Sequence, residues 1–136
     1  MKVYTYQIAN WRHANRIGVK ALDTTVKSGE ALLAPTWNMV LGHKAGTVTD
    51  EEYEALYMQM LEERYEHHPE FFEWLTAHEE IALGCYCAPG KFCHRHLIVK
   101  FLKQITDVIE LGEITSKTGK PNERLQTENH PADSSA

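Results

Sequence analysis

Nowhere does this chain hold an apolar run approaching the ~18 residues that a bilayer-spanning helix needs, and its first residues show no signal-peptide pattern. Cysteine is scarce. The three present in 136 residues are confined to one short stretch, and an odd, clustered set is not the spacing of a secreted disulfide framework. No Cys-x-x-Cys pair occurs, so a thioredoxin-like dithiol is not expected. Positive charge is not in excess either. A formal net charge of -5 argues against general nucleic-acid binding, while leaving room for a local basic pocket. Internal repeats and a linker between two cores are both missing. These absences point to a single domain in a reducing, cytoplasmic setting, with no membrane partner and no fixed expectation for oligomeric state.

What is present is enough to build a core. Hydrophobic residues make up 43% and charged residues 24%, ordinary for a globular domain of this length. Residues 2–8 are rich in aromatic and β-branched types and predict a first strand. The polar segment 9–18 predicts a loop or a short turn of helix. Residues 19–22 predict a second strand that ends in the polar cluster Asp23-Thr24-Thr25-Val26-Lys27-Ser28-Gly29. Pro35 suits the first turn of a short helix carrying Trp37 and Val40. Thr49 followed by Glu52 is a capping box that opens a longer helix, with Tyr53, Leu56, Tyr57, Met60 and Leu61 at helical spacing. Pro69 opens another helix to about residue 79.

The chemistry concentrates between Ile81 and His96. An apolar strand there runs through Cys85-Tyr86-Cys87 and a Pro89-Gly90 turn into Phe92-Cys93-His94-Arg95. The helix that follows carries Leu97, Ile98, Phe101, Leu102 and Ile105 on one stripe. Residues 108–114 predict a last strand. Residues 116–136 contain no aromatics and one leucine, Leu125, and predict a disordered polar tail behind a domain of residues 1–115. The order strand, strand, helix, helix, strand, helix, strand implies a small, mostly parallel sheet with helices packed on it in three layers.

A βα junction is where open α/β sheets usually place their ligands. Arg95 and His94 in a first turn oppose the helix dipole, which prefers negative charge at that end. An anionic ligand, or a carboxylate from elsewhere in the chain, would resolve that conflict. Four readings compete. In the first, Arg95 and the first-turn amides, helped by Lys91, Lys27 and Ser28, hold a phosphate-bearing small molecule. Trp37 or Tyr86 then stacks its ring, and Asp23, Cys93 and His94 act as base and nucleophile. In the second, Cys85, Cys87 and Cys93 with His94 or His96 hold a structural zinc ion. In the third, Cys87 and Cys93 form a bridge. In the fourth, the thiols are small buried groups and Arg95 pairs with an acid such as Asp23. Asp23 also has a bland role open to it, bonding its own turn.

Several stretches resemble a known family when taken together. They are residues 22–29 (Leu-Asp-Thr-Thr-Val-Lys-Ser-Gly), Ala34-Pro35-Thr36-Trp37, Glu51-Glu52-Tyr53, and Cys85-Tyr86-Cys87 with Phe92-Cys93-His94-Arg95. In this combination the chain is similar to the domain-of-unknown-function 488 family from about Val19 to Leu102. The resemblance implies a compact α/β domain with its site at the Cys-His-Arg junction, and it supplies no reaction. The expectation is therefore a small α/β protein that binds a nucleotide or nucleotide-derived anion without a cofactor and hydrolyses or transfers it. A non-catalytic module that sequesters a ligand or binds a protein is the alternative.

Overall fold

A computed structural model describes residues 1–87 and 91–119. Four strands form one sheet: β1 (Lys2–Gln7), β2 (Lys20–Asp23), β3 (Glu80–Cys85) and β4 (Ile109–Glu113). Their order is β2-β3-β1-β4, and every pairing is parallel. The sheet is thus parallel throughout rather than mostly so. Parallel neighbours cannot be joined by a tight turn, so each connection crosses a face as helix.

The crossovers are α1 (Trp11–Ile17), α2 (Trp37–Ala45), α3 (Asp50–His67), α4 (Pro69–Thr76) and α5 (His94–Ile105). Segment 9–18, expected as loop or a single turn, is largely the helix α1. A 3-10 turn at Ile8–Asn10 leads into it, and Gly18 closes it at φ +77°. Its apolar face is only Ala14 and Ile17, too little to stand out as a periodic pattern, yet both are buried on the sheet. α3 starts as expected, with Thr49 and Glu52 exchanging both bonds of the capping box.

Side-chain alternation sorts the core into two halves. On one face Tyr4, Tyr6 and Ala82 pack with Ala14 and Ile17 of α1. On the other, Val3, Leu22, Ile81 and Leu83 pack with Tyr57, Leu61, Phe72, Ile98 and Phe101 from α3, α4 and α5. Each fully buried side chain of this size contributes about 1.5–3 kcal/mol, and the helix–sheet–helix sandwich is the expected three-layer arrangement.

Two glycines shape the functional end of the sheet. Gly84 lies beneath the Tyr6 ring, and a β-carbon there would sit 2.3 Å from it. Gly112, at φ +87°, carries a bulge in β4: Glu110 pairs with Val3, but Gly112 pairs with Tyr4 and Glu113 with Thr5. The extra residue moves Glu113 to the face that α5 covers. Past β4, residues 115–118 form a turn, and Arg16 Nη2 donates to the Thr118 carbonyl, so the start of the expected tail is tied to α1. The rest of that tail, from residue 120, lies outside the described residues, as does the Pro89-Gly90 turn.

Candidate functional site

α1 leaves β1 on one face of the sheet and α5 leaves β3 on the other, so the crossovers diverge between the two central strands. Open parallel sheets form their crevice beyond the carboxyl ends of strands at such a switch. A cavity of 170 Å³ lies at this end of the sheet. Its floor is Cys85, Cys93 and His94. Tyr53 and Phe92 wall it, and His43, Lys44 and Tyr86 stand toward the opening. The wall is predominantly carbon. At this volume it encloses part of a ligand rather than a whole drug-sized one.

Cys85 is the last residue of β3, and Cys93 is the N-cap of α5. Both are buried, and their sulfurs lie within bonding distance of each other with Cα atoms 7.8 Å apart. His94 follows at once, also buried, its ring edge-on to Tyr57 at 5.7 Å. Its Nε2 is 2.8 Å from the Thr24 carbonyl oxygen and 2.9 Å from Thr24 Oγ1. A carbonyl can only accept, so Nε2 carries the ring proton and Nδ1 keeps its lone pair. Thr24 is held in turn, since its hydroxyl and its N–H both donate to the Gly84 carbonyl. Nδ1 faces Cys93 Sγ at 3.6 Å. Burial pushes His94 down to about 4, which keeps the ring neutral near pH 7. With the Cys85–Cys93 pair reduced, Cys93 is a thiol faced by a neutral imidazole that a main-chain group orients, the arrangement that raises thiolate character.

Arg95 is fully buried, not aimed at solvent. Its Nη2 donates to Glu113 Oε2 at 2.9 Å and its Nε to Oε1 at 3.4 Å, while Nη1 donates to Cys85 Sγ at 2.8 Å and to the Cys87 carbonyl at 3.0 Å. The carboxylate that resolves its conflict with the helix dipole is Glu113, and the expected partner Asp23 lies elsewhere. Asp23 Oδ1 accepts from the Thr25 N–H and hydroxyl, and Oδ2 accepts from Ser28 Oγ. Burial raises the Asp23 carboxyl, but these bonds outweigh it and hold the group below its ordinary value. This is the turn-bonding role.

The remaining expected site residues divide. Tyr86 lines the cavity and is 58% exposed. Trp37 opens α2, half exposed, and neither it nor Lys27, Ser28, Lys91 or Arg95 lines the cavity. Cys87 lies past the end of β3, exposed and free, and His96 is exposed on α5. β3 ends at Cys85, two residues before Cys87, so strand alternation does not place the two side by side, although both line the cavity. The donors that converge are Cys85, Cys93 and His94, all within 4.8 Å of one another. Sequence reasoning missed Glu113, Thr24, His43 and Lys44. A glycine before a glutamate in a strand was the available signal for the first.

The family model described as DUF488-N3a, "Active DUF488-N3 subclade", matches residues 6–106, most of the chain. The chain belongs to the DUF488 family. The matched region contains the cavity floor and Arg95 and stops before Glu113. No curated protein and no solved structure matches it. Among the described residues no helix is long and apolar enough to cross a membrane.

Proposed function

We propose that this DUF488 protein is an enzyme, a hydrolase or transferase, that acts on a nucleotide or nucleotide-derived small molecule with Cys93 and His94 as its reacting centre. The observation that carries the reading is His94 Nδ1 facing Cys93 Sγ on the cavity floor while Nε2 is committed to Thr24. A carbon-walled cavity suits a flat ring, and Tyr86, one of its lining residues, is assigned to stack on that ring. Arg95 already has its charge matched by Glu113, so the phosphate is assigned to Lys44, whose exposed side chain reaches the mouth. The family model that matches describes an "Active" subclade, which is consistent with a reactive centre.

The test incubates the purified chain with a panel of nucleotides and nucleotide-derived metabolites and follows bound and converted species by mass. Conversion of one class is expected. Cys93→Ala and His94→Ala should each lower turnover by about 100-fold or more, while Lys44→Ala raises KM with little change in kcat. Retention of an unaltered ligand would make the protein a binding module, and no retention or conversion across the panel would overturn the reading.

A further inference from the structure

Cys85 Sγ, Cys93 Sγ and His94 Nδ1 are three soft or borderline donors, each buried and mutually within 4.8 Å. They sit on the last residue of a strand and on the cap and first residue of a helix. We propose that these three residues bind one zinc ion, with its fourth position open to the cavity they line.

Four observations point the same way. A zinc-bound imidazole characteristically gives its other N–H to a carbonyl or carboxylate, and His94 Nε2 does so to Thr24. That bond leaves Nδ1, on the side of the two sulfurs, as the donor. Second, Arg95 Nη1 donates to Cys85 Sγ at 2.8 Å. A thiol is a weak acceptor, whereas a thiolate fully uses a guanidinium N–H. Glu113 balances the arginine, so two thiolates remain to balance the two charges of the metal. Third, the Cα separation of Cys85 and Cys93 is 7.8 Å, wider than the roughly 4.4–6.8 Å over which disulfides usually form. The two sulfurs lie within bonding distance of each other, so a shared zinc ion, with each sulfur about 2.3 Å from it, requires the pair to be reduced and the sulfurs to move apart. Fourth, the donor set holds no carboxylate. Thiolate with imidazole selects zinc over magnesium or calcium, and three protein ligands with one open position is the pattern of reactive rather than structural zinc.

Binding releases the two thiol protons to solvent and involves no electron transfer. The site is independent of which molecule enters the cavity. With zinc bound, Cys93 and His94 would hold the ion, and the metal would supply Lewis-acid chemistry at the same cavity floor that the proposed function uses.

The experiment uses the full chain, purified in reductant without metal-affinity steps, with zinc counted by elemental analysis and mass measured after denaturation. One zinc per chain and the mass of the fully reduced protein are expected. Cys87 should react with a thiol reagent at once, and Cys85 and Cys93 only after a chelator is added. Cys87→Ser should keep its zinc, while Cys85→Ser and Cys93→Ser should fall below one tenth of an equivalent. Should those two variants fail to fold by circular dichroism, cobalt added to the stripped wild-type chain should give thiolate-to-cobalt absorption. A metal-free chain two hydrogens lighter, bridged between Cys85 and Cys93, overturns the site. So does a reduced chain that binds neither zinc nor cobalt, or zinc retained after both substitutions. Nucleotide conversion by a chain without zinc would leave the proposed function standing and remove this site; zinc without conversion would do the reverse.

Discussion

Arg95 shows how burial decides the role of a charge. A guanidinium at a helix start attracts anions if it is free, but this one is out of contact with water and carries an ion pair with Glu113. Removing one partner of a buried pair leaves the other charge uncompensated, which costs roughly 3–5 kcal/mol. Arg95→Ala should therefore lower the urea midpoint strongly, and any loss of ligand binding will follow from that. An unchanged midpoint would return Arg95 to the ligand. Asp23 gives the opposite case, a half-exposed acid serving its own loop. Its carboxyl is held below the ordinary 3.8, so the folded state binds the proton less readily than the unfolded one. The stabilisation is present above the unfolded value and is lost as pH falls through the folded one. Urea unfolding of the wild type and Asp23→Asn at stepped acid pH should show the wild type losing more stability than the variant below about pH 4.

Among the elements, β4 does the most for the site despite being short and largely exposed. Its bulge turns Glu113 to the face where Thr5 Oγ1 and Arg95 meet it. Without the extra residue the strict alternation of a strand would aim Glu113 at the α1 face. The device depends on Gly112, whose φ of +87° costs a residue with a β-carbon on the order of 1–3 kcal/mol. Gly112→Ala should lose stability in that range by urea titration. It should also make Cys85 react faster with a thiol reagent, because the Arg95 contact loosens along with Glu113.

For the molecule as a whole, the consequence is that a site built between β3 and α5 is completed by the last strand. β4 pairs with the first strand, and the amino terminus donates to the Asp107 carbonyl, so the ends of the domain close on each other. A chain truncated after Asp107 keeps every cavity-lining residue yet loses Glu113. It should unfold without a cooperative urea transition, since a buried cation is left unpaired and β1 gains an open edge. Cooperative unfolding with intact thiol protection would show that β4 is dispensable.

The α/β class, the capping box of α3, the strands and the junction that carries the cysteines could be read from residue order alone, because these depend on local patterns of apolar spacing and turn chemistry. It also carried the resemblance to DUF488, which the family match bears out. α1 escaped it, since two apolar residues make no visible stripe. Which acid meets Arg95, which cysteine faces which, and which histidine joins them were decided only by the tertiary structure. Those pairings depend on a one-residue bulge in β4, on β3 ending at Cys85, and on Thr24 reaching His94 across 70 residues. Long-range register of this kind has no counterpart in local spacing, because a shift of one residue reverses the face a side chain occupies while leaving the sequence pattern readable either way.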